Sequence, residues 1–261
     1  MITVYGLNVD AFKESKPSRF FDLMRQVQPE IICLQETGCD IQGFPDYARL
    51  DGYYVNANHG LNSAGRTGVA ILSKGSQASS VRKICAAEEH EVCRGRFLEV
   101  TVGSTKYVSI YSHAHDPKSA ERRRARVQFN ECLKSYMMRT FELSAVISLD
   151  AKVALSRQDV ETNTQFSGPW ASRTYRDPLL SAMEHGRWVD SFRVIQGQKR
   201  RATVWTPVNF RNPIEMGYGI DFQLVSKPLS AKITDALVIK PATWETRYSE
   251  HAVTVGRYDG P

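Results

Sequence analysis

The chain has 261 residues, with 34 Lys and Arg against 28 Asp and Glu, which gives a formal net charge of +6. Apolar residues make up 42% and charged residues 24%, the proportions of an ordinary folded protein, and this length predicts one large domain or two small ones. No apolar run approaches the ~20 residues that a membrane-spanning helix needs, so such a span is excluded. The moderate positive charge suits a polyanionic partner but does not by itself establish one.

The sequence has no low-complexity segment, no Gly- or Pro-rich linker and no obvious repeat. We therefore predict a single domain over residues 1–261. The first residues carry neither a basic segment nor a cleavage-type apolar stretch, so we expect a cytoplasmic protein. The five cysteines form no CxxC pair, which favours reduced thiols.

Short apolar runs rich in β-branched residues recur along the chain and are typical of buried strands. In chain order, we predict strands at Ile2–Leu7, Ile31–Leu34, Gly68–Ser73, Phe97–Val102, Tyr107–Tyr111, Ala145–Leu149, Phe222–Val225 and His251–Val255. Helical patterns lie between some of these strands. They run from Ser18 to near Pro29, from Lys118 to about Phe141, and from Asp177 to near Gly186. This mixture predicts an α/β domain in which helices cover two sheets.

Polar residues at the ends of the predicted strands are the candidates for chemistry. They are Asn8, Asp10, Glu36, Tyr111, His113, Asp150, Asp221, Glu250 and His251. Strand ends can converge on one edge of a sheet sandwich, and carboxylate or amide oxygens there suit Mg²⁺ or Mn²⁺ better than Zn²⁺. Taken singly, such residues are more often solvated turn residues.

In order along the chain, the segments around these residues form a specific pattern. The strongest are Leu34-Gln35-Glu36-Thr37 and Gly219–Leu229. The pattern also includes Asn8-Val9-Asp10, Gly68–Ser73, Leu149–Ala154, Trp188–Arg193 and Tyr248–Ala252, as well as Gly95-Arg96-Phe97, which alone would be weak. From Ile2 to about Val255 the chain resembles the endonuclease/exonuclease/phosphatase superfamily, and within it the exonuclease III branch of abasic-site (AP) endonucleases. The resemblance implies a four-layered α/β sandwich, DNase I-like, with the site at one edge.

The resemblance also implies a metal-assisted hydrolytic site. Glu36 would be the principal ligand of Mg²⁺, or of Mn²⁺ in its place, with Asn8 and Asp10 nearby. Asp150 would orient or deprotonate the attacking water. This division of labour suits phosphodiester hydrolysis, which needs an in-line nucleophile, a metal and donors aimed at the phosphoryl oxygens.

The remaining implied roles concern the phosphate. His251, held by Glu250, would contact the scissile phosphate and stabilise the charge that develops on it. Tyr111 would hydrogen-bond a phosphate oxygen, and Asp221 would support the site from behind. Trp205 and Tyr218 would lie around the abasic-nucleotide pocket, although both could equally be core aromatics.

Three positions depart from the family pattern. Lys152 replaces an Asn two residues after Asp150, and an ammonium cannot ligate a metal. If Lys152 points at the metal it weakens metal binding, whereas if it points at the phosphate it replaces part of the metal's electrostatic role. Glu250 replaces an Asp before His251. His113 stands where the family has an Asn after Tyr111, and it remains a candidate phosphate donor.

Two basic clusters could contact a nucleic-acid backbone. One is Arg122-Arg123-Arg124 with Arg126 on the long predicted helix, and the other is Lys199-Arg200-Arg201. Either could be an ordinary solvated face. The second precedes Trp205, so we prefer it as the DNA-backbone contact, which would make binding salt-sensitive.

The leading hypothesis from the sequence is a Mg²⁺-dependent DNA phosphodiesterase of base-excision repair. As the resemblance implies, it would nick duplex DNA 5′ to abasic sites, trim or process 3′-blocked ends, and act as a monomer. The alternative is a catalytically weakened or inactive relative that binds DNA or RNA as a regulatory protein. The bacterial catabolite repression control protein has this fold and is altered in the same segments. A lipid or inositol-phosphate phosphodiesterase of the same superfamily is a third, less favoured hypothesis.

Overall fold

The computed structural model describes residues 1–60, 67–83, 91–160, 168–205, 210 and 217–260. Among these residues, twelve strands run through the chain: β1 (Ile2–Asn8), β2 (Ile31–Gln35), β3 (Tyr53–Asn58), β4 (Val69–Lys74), β5 (Ser80–Arg82), β6 (Phe97–Val102), β7 (Thr105–Tyr111), β8 (Ala145–Asp150), β9 (Trp188–Asp190), β10 (Asp221–Ser226), β11 (Ile233–Ile239) and β12 (Val253–Tyr258). The α-helices are α1 (Ser18–Val27), α2 (Ala120–Thr140), α3 (Arg173–Met183), α4 (Ser191–Gln196) and α5 (Lys227–Ser230). Short 3₁₀ turns occupy Asp10–Ser15, Asp46–Ala48, Glu91–Cys93, Arg157–Asp159, Pro169–Ala171 and Glu184–Gly186.

The strands form two mixed six-stranded sheets. The first has the order β11-β12-β1-β2-β4-β3, and the second has the order β5-β6-β7-β8-β10-β9. Each sheet holds one parallel pair near its middle, β1 with β2 and β7 with β8, and its other pairs are antiparallel. The ends of β1, β2, β7 and β8 therefore become the natural place for convergent side chains.

Three buried clusters show how the layers pack. One lies between the sheets and includes Val4, Ile71 and Val146. A second packs Phe20 and other α1 residues against the first sheet. A third packs residues of α2 and α3, including Phe129, against the second sheet. The result is a four-layered α/β sandwich, as the sequence predicts.

Close approach of the two sheets depends on a glycine in β1. A Cβ at Gly6 would lie 2.2 Å from Oγ of Ser148 in β8, so only glycine fits. Gln35 of β2 then reaches across the interface and donates to Oγ of Ser109, 3.0 Å away. These contacts fix the first sheet against the second next to the strand ends that carry the candidate site.

All eight predicted strands are present; Phe97–Val102 keeps its predicted bounds, and the bounds of the others differ by at most three residues. Four strands were missed, at Tyr53–Asn58, Ser80–Arg82, Trp188–Asp190 and Ile233–Ile239. Each is short or only partly buried, so its apolar pattern is weak. The third helix begins at Arg173 rather than Asp177, and it accommodates Pro178 at its centre.

The cysteines and the apolar character of the helices bear on two of the sequence predictions. Cys33, Cys39 and Cys132 are free thiols, but Cys93 is disulfide-bonded, so the expectation of reduced cysteines throughout is wrong for that residue. Within the described ranges, no helix is long and apolar enough to cross a bilayer.

Candidate active site

The strand pairing assembles the candidate site at one edge of the sandwich. Asn8 ends β1, and Glu36 follows β2, its parallel neighbour. In the second sheet, Asp150 at the end of β8 pairs with Tyr111 of β7 on one side and with Asp221 of β10 on the other. Residues far apart in the chain thus meet because their strands end together.

A single amide nitrogen joins the two central carboxylates. Nδ2 of Asn8 donates to Oε2 of Glu36 at 3.0 Å and to Oδ2 of Asp150 at 2.7 Å. The Oδ1 atom of Asn8 accepts from the backbone N–H of Asp10 at 2.9 Å, and this contact fixes which way the amide faces. Asn8 therefore links the carboxylates of the two sheets.

Lys152 points at Asp150. Its Nζ lies 2.7 Å from Oδ2 of Asp150, whose side chain is fully buried, whereas the Lys152 side chain is 14% exposed. Burial, the largest single influence, would raise the pKa of Asp150, but the charges of Lys152 and His251, together with the hydrogen bonds from Lys152 and Asn8, outweigh it and lower the pKa. Asp150 is therefore held as a carboxylate of reduced basicity.

The backbone at two of these residues lies in the left-handed region. The φ angle is +55° at Glu36 and +52° at Lys152. Non-glycine residues adopt such angles at a cost, and the conformation is common at functional sites. At both positions a strand has just ended, so the turn redirects the side chain toward the edge of the sandwich.

His251 is oriented by Asp221. Its Nδ1 lies 2.9 Å from Oδ2 and 3.1 Å from Oδ1 of that carboxylate. Burial, the largest single influence, would lower the pKa of His251, but the charge and hydrogen bond of Asp221, together with the charge of Asp150, raise it above the usual value. The expectation that Glu250 holds the imidazole is wrong: Glu250 is exposed, and the buried Asp221 takes that place.

Tyr111 lies between acidic and basic groups. Its hydroxyl is hydrogen-bonded to Glu36, and burial, together with Glu36 and Asp150, raises its pKa despite the opposing charge of Lys152. The Lys152 ammonium and the Arg96 guanidinium lie 5.1 Å and 5.0 Å from the centre of its ring. Arg96 also donates to the backbone oxygen of Tyr111. The sequence segment Gly95-Arg96-Phe97 could have signalled this role for Arg96, which sequence reasoning did not assign.

Asp10 does not join the carboxylate cluster through its side chain. Oδ1 of Asp10 forms an ion pair with Nζ of Lys13 at 2.8 Å. Within the described residues, no hydrogen bond connects the Asp10 carboxylate to Glu36 or Asp150. A left-handed backbone at residues 10–12 turns the chain into a 3₁₀ helix, so Asp10 contributes its N–H to Asn8 instead.

The carboxylates of Asp150 and Glu36 suit a divalent cation, although the positive charge of Lys152 opposes its binding. Oδ1 of Asp150 is buried without a hydrogen-bond partner, and Glu36 supplies a second carboxylate on the same amide. Carboxylates are the oxygen ligands that Mg²⁺ and Mn²⁺ prefer. The Lys152 ammonium opposes this, because two unit charges 4 Å apart repel by ~4 kcal/mol at an effective dielectric of 20 and a divalent ion roughly doubles that energy. Ligand atoms of Asp150, Asp221 and His251 also lie within 4.8 Å of one another.

His113 is not available as a charged phosphate donor. Its Nε2 lies 2.9 Å from the backbone oxygen of Val92, and its ring packs edge-on against Phe129. Burial, followed by the charge of Arg96, lowers its pKa to about 4. A neutral imidazole bonded to a carbonyl serves structure, so the expected phosphate contact is wrong for this residue.

In the basic cluster Lys199-Arg200-Arg201, two of the three side chains bond to other groups of the protein. Arg201 is buried, and its Nη2 lies 2.9 Å from Asp159 and 2.8 Å from Asp190. Arg200 donates to the backbone oxygens of Val160 and Gly217. Of the three residues, Lys199 alone is exposed. The DNA-backbone role is therefore wrong for Arg201, whose guanidinium neutralises buried carboxylates.

The two expected pocket aromatics differ in their surroundings. Trp205 is buried among Phe210, Ala252 and their neighbours, so it is a core residue. Tyr218 is only partly buried and stacks on Trp170, with ring centres 5.3 Å apart and planes 18° from parallel. Trp170 carried no sequence signal, because it follows a segment without a recognisable pattern.

Solved structures share this fold along the whole chain. An AP endonuclease from Archaeoglobus fulgidus is 23% identical with a TM-score of 0.84, and the match covers 100% of both chains. The 3′ phosphatase NExo from Neisseria, bound to a product DNA hairpin, is 18% identical with a TM-score of 0.81 over 100% of both chains. The catalytic domain of APE2 from Xenopus laevis is 17% identical with a TM-score of 0.81, covering 98% of this chain and 91% of that one.

At the sequence level, no curated protein matches the chain. The model of the Endonuclease/Exonuclease/phosphatase family matches residues 6–135, which include Asn8, Glu36 and Tyr111. This match agrees with the sheet topology and with the convergence of strand ends described above. The chain belongs to the endonuclease/exonuclease/phosphatase family.

Proposed function

We propose that the chain is a DNA phosphodiesterase of base-excision repair that incises duplex DNA 5′ to abasic sites and processes 3′ ends. One observation carries this proposal: the Asp221–His251 pair meets Asp150, Asn8 and Glu36 at a single edge of the sandwich. Similarity to an AP endonuclease and to a 3′ phosphatase supports the substrate class.

The residues divide the work of hydrolysis among themselves. Asp150 orients the attacking water through its unpaired Oδ1 and accepts a proton from it. His251, with Nδ1 held by Asp221, presents Nε2 to a phosphoryl oxygen and, when protonated, stabilises the charge that develops there. The hydroxyl of Tyr111 is hydrogen-bonded to Glu36 and would donate to a phosphate oxygen beside it.

Glu36 would hold a divalent cation, Mg²⁺ or Mn²⁺, beside Asp150. When bound, such an ion neutralises charge on the phosphoryl oxygens. Asn8 keeps the two carboxylates side by side, and Lys152 supplies a permanent positive charge close to them. Part of the electrostatic work thus falls to a residue of the chain itself.

A specific observation favours a second candidate, a DNA- or RNA-binding regulatory protein of low or no activity. The ion pair between Lys152 and Asp150 lowers the basicity of the carboxylate that must accept a proton. A site of this kind can retain phosphate binding and lose rate. The arrangement of His251 on Asp221 and of Glu36 beside Asp150 makes the enzyme our first choice.

A substrate panel distinguishes these proposals. Labelled duplexes carrying one abasic analogue, one 3′-phosphate or no lesion are incubated with Mg²⁺, Mn²⁺ or EDTA. We expect metal-dependent incision of the abasic duplex and release of the 3′-phosphate. Absence of any cleavage, together with salt-sensitive binding of DNA or RNA by folded protein, would replace the enzyme with the binding protein.

A further inference from the structure

A cavity of about 400 Å³ opens beside Lys152, next to the candidate active site. Its lining consists of Ala114, His115, Pro117, Arg126, Lys152 and Trp170. None of these residues except Lys152 has a role in the hydrolytic site described above. The cavity is large enough for more than a solvent molecule and is in the size range of small-ligand pockets.

Arg126 is a buried cation without an acidic partner. It is 1% exposed and stacks on the ring of Tyr175 at 3.8 Å. Its Nη2 donates to the backbone oxygen of Lys152 at 2.8 Å, whereas Nε and Nη1 are buried without a hydrogen-bond partner. No carboxylate of the described residues lies within ion-pair distance of it.

Such a group is costly unless something compensates its charge. Burial lowers the pKa of Arg126 to about 10, so the side chain is still a cation at neutral pH. Lys152 is the second cation of the cavity wall, and it forms an ion pair with the carboxylate of Asp150. Two cations against one carboxylate leave the cavity with an excess positive charge, which an anion would neutralise.

Trp170 indicates which class of anion would bind in the cavity. It forms an aromatic wall of the cavity and stacks on Tyr218 outside it. A flat apolar wall beside an arginine suits a nucleotide, whose sugar or base can pack on the indole while its phosphate meets the guanidinium. Inorganic phosphate offers only the second of these contacts.

We propose that this cavity is a nucleotide-phosphate subsite, in which Arg126 and Lys152 bind a phosphate group next to the one that is hydrolysed and Trp170 packs on its nucleoside. The proposal deepens the proposed function and rests on it for the nucleic-acid substrate. It assigns Arg126 to recognition and gives Lys152 a second role beyond its pairing with Asp150.

The test is binding of thymidine 3′-phosphate, with thymidine and inorganic phosphate as comparison ligands, by isothermal titration calorimetry. Because no cleavage is measured, the result is independent of whether the chain is a nuclease. We expect the nucleotide to bind at least tenfold more tightly than either comparison ligand. Equal affinity for inorganic phosphate would overturn the role of Trp170 and with it the nucleotide assignment.

Three variants show whether the nucleotide binds in this cavity or in the catalytic site. Arg126→Gln should weaken thymidine 3′-phosphate at least tenfold, whereas His251→Asn should change it less than twofold. Ala114→Trp, at an exposed lining position, should block the cavity without disturbing the core and remove binding even if Arg126→Gln fails to fold. Unchanged binding in Ala114→Trp, or its loss in His251→Asn, would place the ligand in the catalytic site and overturn the proposal.

Discussion

The Lys152 ammonium and the Asn8 amide donate to the same oxygen of Asp150, each at 2.7 Å. Oδ2 of Asp150 is thus occupied twice, while Oδ1 accepts no hydrogen bond from a described residue. A carboxylate held in this way keeps its charge and its orientation but loses basicity. The balance between these effects decides how well Asp150 can accept a proton.

Replacing Lys152 with Asn should strengthen divalent metal binding. Removing the ammonium abolishes its repulsion of the ion, and we expect Mn²⁺ affinity to rise at least about tenfold, or ~1.4 kcal/mol. Mn²⁺ binding is measured by isothermal titration calorimetry, with Lys199→Asn as a matched control at an exposed lysine. Equal affinities of wild type and Lys152→Asn would show that Lys152 does not oppose the metal.

Asp221, rather than Glu250, should control the function of His251. Asp221→Asn removes the charge that orients and protonates the imidazole, so we expect the incision rate to fall ~10²- to 10⁴-fold. Glu250→Gln, at an exposed carboxylate, should remain within about twofold of wild type. Single-turnover rates on an abasic duplex measure both. The reverse order of effects would restore Glu250 as the partner of His251.

His113 should make the protein less stable in mild acid. Its pKa is lowered to about 4 in the folded state, whereas an unfolded histidine titrates near 6.5. Between these values the unfolded chain binds a proton that the folded chain does not, so the free energy of unfolding falls as the pH falls, by up to ~3 kcal/mol. Urea unfolding at pH 7.5 and pH 4.5 measures the change.

The control for this effect is His113→Gln, whose amide can still donate to the oxygen of Val92 but cannot titrate. Other groups also titrate in this range, so the informative quantity is the difference between the two proteins. We expect the acid-induced loss to be ~2–3 kcal/mol smaller in the variant. The same loss in both proteins would contradict a buried neutral His113.

Arg201 should matter for stability and not for DNA binding. Its guanidinium is buried between Asp159 and Asp190, and Arg201→Met leaves both carboxylates without this partner. Breaking a buried pair on one side costs ~3–5 kcal/mol, which urea unfolding would detect. Lys199→Ala, at the exposed end of the same cluster, should leave the unfolding free energy unchanged within ~0.5 kcal/mol. A stable Arg201→Met variant with weakened DNA binding would support the backbone-contact role instead.

The layered fold could be predicted because strand length and apolar character are local properties of the sequence. Runs such as Ile31–Leu34 and Ala145–Leu149 are buried on both faces, so they stand out. The edge strand β3 is only partly buried and carries Asn56 and Asn58, so it does not. Sequence patterns thus predicted the centre of each sheet better than its margins.

The candidate site was predicted where a residue lies at either end of a strand: Asn8 and Asp150 end theirs, and Asp221 begins its own. It was harder to predict which side chains pair with one another, because the partners lie far apart in the sequence. Glu250 is adjacent to His251 in sequence, yet the β-bridges of Val204 to Tyr218 and to His251 bring the start of β10, with Asp221, to the imidazole. Arg201 likewise looks like part of a basic surface until the fold buries Asp159 and Asp190 beside it.

The most direct test of this account is the single-turnover incision of an abasic duplex by wild type and by Asp150→Asn, each at saturating Mg²⁺. The substitution keeps the shape of the side chain and removes the carboxylate that orients and accepts the proton of water. We predict incision by wild type and a rate at least ~10³-fold lower in the variant. Equal rates in the two proteins, or no incision by folded wild type, would contradict a hydrolytic site built on Asp150.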